Sequence, residues 1–167
     1  FLKDSIKMPD SLMYKTLKTK RTVYGGGGIM PDVFVPLDTT QNSVYFADLI
    51  QGGHVNSFAF QYINANRAAL RSKYPDINAF KRDFILDQAF MDQFFAYVQK
   101  EDPTLLFNAE QYAISEQLLK LRIKAVLAQD LWGTNEMFQV YNETNEILQK
   151  AVEVLQSKQY SQFELDK

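Results

Sequence analysis

His54 is the only imidazole in the chain, and imidazole is the side chain best suited to move a proton near neutral pH. It follows Gly52-Gly53 where a helix is predicted to begin, with no acidic or nucleophilic residue beside it in sequence, so it reads as structural or solvent-facing. Ser115 has Lys120 and Lys124 close along the chain. It falls inside a predicted amphipathic helix, however, and not on the exposed turn that an activated serine occupies. The nucleophile-elbow pattern of glycine, any residue, serine, any residue, glycine is missing, while a Ser-His-Asp set drawn from distant positions stays open. Glu136, Glu143, Glu146 and Glu153 spread along one helical stretch as a solvated face, which is a poor arrangement for an acid/base pair or a metal cluster. Asn142-Glu143-Thr144 fits the glycosylation acceptor pattern but is predicted to fall mid-helix. Lys15, Lys18, Lys20 and Arg21 would suit phosphate, and beside a strand they read as edge protection.

The run Tyr24-Gly25-Gly26-Gly27-Gly28-Ile29-Met30-Pro31-Asp32 raises a further chemistry, the cradling of an anion by backbone N–H groups. A phosphate loop needs lysine and then serine or threonine after its last glycine, and Ile29-Met30-Pro31 stands there instead. Apolar flanks also argue against a flexible linker. The glycines are expected to adopt unusual dihedrals or to pack hard against a neighbouring surface, one that residues 1–40 offer little of.

Two regimes position these residues, meeting near Asp38-Thr39-Thr40. Residues 1–40 hold four of the seven glycines with Pro9, Pro31 and Pro36, and strand-like runs at Leu12–Leu17, Thr22–Tyr24 and Val33–Val35. Residues 41–167 show helical periodicity. Thr40 or Asn42 is expected to cap a short helix through Tyr45, Phe46, Leu49 and Ile50, closed by Gly52-Gly53. A second runs from about Asn56 to Lys73 with Phe58, Tyr62 and Ala65 or Ala69 on one face. A third is capped by Asp87, carries Phe90, Phe94 and Tyr97 or Val98, and stops at Glu101-Asp102-Pro103. Asn108 and Gln111 form a capping-box pattern ahead of a stripe of Tyr112, Leu119, Ile123 and Val126 or Leu127. After Gly133, Thr134 is expected to cap a last helix through Met137, Val140, Ile147, Ala151 and Val154, folded back on its predecessor as a hairpin. The fold class expected is mainly α: a helical domain preceded by a short β segment.

Composition bounds the function. The 167 residues, 46% hydrophobic and 14% aromatic, suffice for one core of ordinary size. A net charge of -2 gives no broad field for nucleic acid or an anionic membrane, and no run approaches the ~20 apolar residues of a membrane-spanning helix. The absence of cysteine rules out disulfides and thiolate metal sites. Phe1-Leu2-Lys3-Asp4 is neither an initiator methionine nor a signal peptide, so the chain is expected to continue a longer polypeptide.

The segment Lys20-Arg21-Thr22-Val23-Tyr24-Gly25-Gly26-Gly27-Gly28-Ile29-Met30-Pro31-Asp32-Val33 resembles one written Gly-Arg-x-Val-Tyr-Gly-Gly-Gly-Gly-Ile-x-Pro-Asp-Val in the carboxyl-terminal processing (tail-specific) serine proteases, Bacteroidetes-type members above all. Asp4-Ser5-Ile6, Tyr14-Lys15-Thr16 and Leu131-Trp132-Gly133 extend the similarity, and Lys20 departs from it where glycine is usual. The resemblance implies an extracytoplasmic endopeptidase, in the periplasm or cell envelope, with a serine nucleophile and a lysine base that both precede the glycine segment. No position here matches those motifs, so no catalytic, cofactor-binding or metal-binding residue is assigned, and this chain by itself is expected to be inactive. Residues 1–40 are then the end of the catalytic domain and residues 41–167 a helical C-terminal domain of structural or regulatory role. The implied partners are the upstream protease domain, protein or peptide substrates of the parent, and another copy through exposed strand edges. The alternative is a stand-alone helical protein-binding module.

Overall fold

The computed structural model describes residues 9–18, 20–26, 31–159 and 161. The chain is mainly α-helical, with seven helices and one two-stranded sheet among these residues. It divides into two compact units. One spans Thr39–Glu143; the other gathers the described residues up to Asp38 and those from Thr144 onward.

In the second unit a 3₁₀ turn over Asp10–Leu12 leads into β1 (Met13–Lys15), which pairs antiparallel with β2 (Thr22–Tyr24) in the register Met13↔Tyr24, Tyr14↔Val23, Lys15↔Thr22. Bonds from Gly25 N–H to the Leu12 carbonyl (2.7 Å) and from Thr16 N–H to the Arg21 carbonyl (2.9 Å) extend the ladder at both ends. The strand expected at Val33–Val35 does not form. Pro31 and Pro36 bracket those residues, and proline has no N–H to give a ladder. α7 (Glu146–Gln156), the last α-helix among the described residues, also belongs to this unit.

The unit Thr39–Glu143 holds six helices: α1 (Val44–Gln51), α2 (His54–Lys73), α3 (Ile77–Asp83), α4 (Gln88–Glu101), α5 (Ala109–Leu131) and α6 (Thr134–Tyr141). α5 is its axis, packed against α1, α2 and α6, while α2 also meets α1 and α4. Between Ile123 and Leu131 α5 buries both of these residues and Ala125, Val126, Leu127 and Ala128. The single stripe expected there is thus widened, because α2 and α6 both cover the helix, while Lys124, Gln129 and Asp130 keep its remaining side polar. Aromatic rings fill much of the space between helices: Phe58 meets Phe90 and Phe94 edge-on, Phe80 stacks on Phe84, and Trp132 closes against Phe80.

Cap chemistry explains where the helices begin. Ser43, and not Thr40 or Asn42, caps α1, its hydroxyl accepting from Phe46 N–H at 3.1 Å. Asp87 caps α4 through Phe90 N–H and Asn108 caps α5 through Gln111 N–H, as their types and positions predict. Asp76 caps α3, a helix absent from the sequence reading. On α2 the buried face is Val55, Phe58, Ala59, Ile63 and Leu70, and Ala65 and Ala69 are exposed. Thr134 is the first residue of α6 and caps nothing; Gly133 precedes it without a side-chain bond.

The single helix expected after Gly133 breaks into α6 and α7. Asn142, Thr144 and Asn145 compete for local backbone groups and favour turns over helix interiors. Asn145 goes on to accept from Leu148 N–H at 3.1 Å, which starts α7. Asn142-Glu143-Thr144 therefore lies in the turn closing α6 and not mid-helix.

Candidate functional site

Ser115, the first nucleophile candidate, is only 2% exposed. Its Oγ accepts from Ser43 N–H at 2.9 Å and lies 2.7 Å from the Gln41 carbonyl and 2.8 Å from Ser43 Oγ, each an acceptor for its one proton. One turn earlier, Gln111 Oε1 accepts from Tyr45 N–H at 2.6 Å. Two side chains of α5 thus satisfy backbone donors that the start of α1 leaves open. Gln111 is spent there, so the reciprocal half of the predicted capping box goes unused. Neither lysine reaches Ser115: Lys120 Nζ is 2.7 Å from Glu116, and Lys124 Nζ donates to the Lys81 carbonyl at 2.7 Å. The hydroxyl is a structural tie with no base beside it.

His54, read as lacking an acidic neighbour, gains one through the fold. Its Nε2 lies 3.6 Å from Asp102 Oδ2, the first residue of α2 meeting the residue that closes α4. The Thr104 hydroxyl donates to Asp102 Oδ1 at 2.6 Å, and the N–H groups of Thr104 and Leu105 point to the same oxygen. Above all the Thr104 hydroxyl, then these N–H groups and His54, hold the Asp102 carboxyl below the usual carboxylate range. Hydroxyl, carboxylate and imidazole are all present, but the carboxylate stands in the middle. A relay that activates a hydroxyl needs the imidazole between the other two. The cluster fixes the loop after α4 onto the start of α2.

Three cations secure helix ends. Arg67 and Arg71, one turn apart on α2, donate to the carbonyls of Asp130 and Leu131, the last of α5. Positive charge suits a helix C-terminus, where the open carbonyls gather. Lys124 does the same for α3 with its Nζ above the Phe80 ring, and burial lowers its pKa. Lys81 beside it pairs with Glu143 at 3.1 Å. Glu143 is therefore bound to a lysine and is no free member of a carboxylate face.

Two depressions mark the surface of this unit. One, of about 580 Å³, is lined by Asn56, Ser57, Phe60, Gln61, Asn64 and Tyr97 with Glu101. The other, of about 530 Å³, lies between α2 and α4 with Tyr62, Lys73, Asp83, Ile85 and Asp87 at its walls. The first has no histidine or lysine beside Ser57, and the second has no serine, threonine, cysteine or histidine. Among the described residues no group of three His, Cys, Asp or Glu side chains is placed to hold a metal ion, and no helix is long and apolar enough to cross a membrane.

In the hairpin, Lys20 has a φ of 54°, the left-handed region that glycine enters without penalty. Gly26 has a φ of 80°. Gly25 meets the chain itself: a Cβ there would stand 2.8 Å from Tyr14 Cε2. The ring of the neighbouring strand is thus a surface that this glycine packs against. Gly27, Gly28, Ile29 and Met30 lie outside the described residues, as do Asp4-Ser5-Ile6. Arg21 and Asp32, on either side of the glycine run, pair at 2.6 Å, and Lys15 Nζ donates to Thr22 Oγ1 at 2.6 Å. Two of the four basic residues in the cluster are thus engaged within the segment.

The hairpin and α7 also expose large apolar side chains. Tyr14, Met13 and Leu17 stand out from the hairpin, and Ile147, Leu148, Val152 and Leu155 from α7. Of the α7 residues here the spacing singles out Ile147 alone, on a helix expected to run on from Thr134, whereas the bond from Arg67 to α5 and the His54–Asp102 contact span 63 and 48 positions and leave no local signal. A family model described as "Family of unknown function (DUF8443)" matches residues 45–133, more than half of the chain and all within the unit Thr39–Glu143. No curated protein and no solved structure matches it.

Proposed function

The chain belongs to the family of unknown function DUF8443, and we propose that it is the C-terminal region of a carboxyl-terminal processing serine endopeptidase of the Ser-Lys type. In this reading the hairpin completes the catalytic domain, and the helical unit has a structural or regulatory role. The parent acts outside the cytoplasm, on protein C-termini or unfolded proteins.

One observation carries the proposal: the segment Arg21-Thr22-Val23-Tyr24-Gly25-Gly26-Gly27-Gly28-Ile29-Met30-Pro31-Asp32-Val33. Its geometry lends support at two positions. Lys20, the one departure from the protease pattern, holds the left-handed conformation for which glycine is suited. Arg21 and Asp32, both part of the pattern, bind each other across the glycines. The polar clusters of the helical unit are occupied in holding helices together, which fits a part that supplies no catalytic residue.

The reading frame ahead of Phe1 tests this directly. It should encode a serine and a lysine spaced as in the protease family, and the extended protein should cleave an unfolded substrate that residues 1–167 leave intact. A start codon immediately before Phe1 would sink the proposal. So would cleavage by the 167-residue chain that survives substitution of Ser115 and His54. The second reading, a stand-alone binding module, draws on the closed core of Thr39–Glu143, and saturable binding of one partner without any upstream frame would favour it.

A further inference from the structure

We propose that the groove with Asn56, Gln61 and Asn64 on one wall and Tyr97 on the other is a binding site for the main chain of an extended peptide. At ~100° per residue, Asn56, Phe60, Asn64, Ser57 and Gln61 fall in that order within an arc of about 140° on α2. The buried residues Val55, Phe58, Ala59 and Ile63 occupy the rest of the circle, so this arc is free of any duty to the core. On the facing wall Tyr97 and Glu101 stand four residues apart on α4, and Phe58 holds the Tyr97 ring at 5.5 Å between centroids. The whole groove lies in the unit Thr39–Glu143 and inside the span of the family match. It needs neither the hairpin nor a domain before Phe1.

The polar groups of this groove differ from the others in the unit by being uncommitted. In the second depression Asp87 caps α4, Asp83 pairs with Arg82, and Asn66 donates to the Tyr62 carbonyl. The carboxamides of Asn56, Gln61 and Asn64 and the hydroxyls of Ser57 and Tyr97 bond to no described residue. A carboxamide holds a donor and an acceptor in one plane, as a peptide group does, so the two pair through two hydrogen bonds. Spacing then favours an extended chain. Residues four apart on a helix are separated by ~6 Å along its axis, and groups that face one way on an extended chain recur every ~6.6 Å. From Asn56 to Asn64 the helix rises ~12 Å, the length of about four extended residues. Phe60, midway between them and 63% exposed, offers a ring face to one apolar side chain of the ligand. Glu101 is the single charged residue of the lining, which holds no lysine or arginine, so the groove suits neither a phosphate nor another anion.

Titration of the isotope-labelled 167-residue chain with a capped, uncharged hexapeptide, acetyl-Gly-Leu-Ser-Val-Thr-Ala-amide, tests the site by nuclear magnetic resonance. Saturable shifts of the side-chain amide signals of Asn56, Gln61 and Asn64 are expected. Gln61→Ala together with Asn64→Ala, both exposed positions, should weaken binding by about tenfold or more while leaving thermal unfolding unchanged. N-methylation of the peptide throughout should cost as much. Absence of a saturable shift at millimolar peptide overturns the proposal, and so does affinity that withstands both the double substitution and the N-methylation. Shifts of these amides by maltohexaose but not by the peptide overturn it in favour of a saccharide. The serine-lysine pair sought ahead of Phe1 decides the protease reading separately, since peptide binding by the 167-residue chain stands or falls without it.

Discussion

The unit Thr39–Glu143 and the elements outside it solve the same problem in opposite ways. Among the described residues every buried side chain lies between Ser43 and Val140, whereas the hairpin and α7 bury none. Both regions are rich in apolar residues, so composition does not separate them. What separates them is burial: the helices of the larger unit cover one another's stripes, while the ladder of the hairpin and the cap of α7 settle local geometry without burying a side chain. Local order and burial are therefore independent here, and the family match follows the part that has both.

The comparison can be broken most easily by truncation. Phe94→Ala, at a fully buried position, should destabilise the helical unit by about 3–5 kcal/mol in chemical denaturation. Leu155→Ala on α7 should change it by no more than ~0.5 kcal/mol. Comparable losses from the two would show that α7 shares the core. Ser115→Ala comes next: it strands the Ser43 N–H in the interior, at about 1–3 kcal/mol, and a loss within error would mean that the tie to α1 is ornamental. Lys20→Gly should favour the hairpin by about 1 kcal/mol or less, seen as slower exchange of the Thr16 amide with no change in the melting of the helical unit.

The smallest effect is electrostatic and lies at the His54 cluster. Because the folded-state pKa of Asp102 is depressed, its contribution is present above the ordinary value of 3.8 and is lost as pH falls through the lower folded value. Stability measured from pH 5 downward should decline less steeply in Asp102→Asn than in the parent, and equal slopes would remove the carboxylate from the account.

Much of this arrangement is legible in the sequence, for reasons that vary by residue. Asp87 and Asn108 announce their helices because a cap is decided within four residues, and Phe90, Phe94 and Val98 announce their burial by spacing. Ser43 was passed over for its neighbours since the choice depends on Ser115, 72 positions away. The break after Tyr141 is hidden by an apolar period that carries on through the polar turn, and Asn142, Thr144 and Asn145 are its local signs. At the polar clusters, sequence gave the residue types but not the wiring: whether His54, Asp102 and Thr104 form a relay depends on which group stands between the other two. Gly25 is crowded by Tyr14, eleven residues upstream, a neighbour that strand pairing supplies and local spacing does not announce.

The tie at Ser115 also fixes how the molecule bears load. The chain arriving from the hairpin joins the helical unit at Gln41 and Ser43, and both are fastened to the seventh residue of α5 rather than to its end. A pull on the preceding segment would therefore meet α5 part-way along its length and strain several bonds in parallel, where attachment at a helix tip would let them peel one after another.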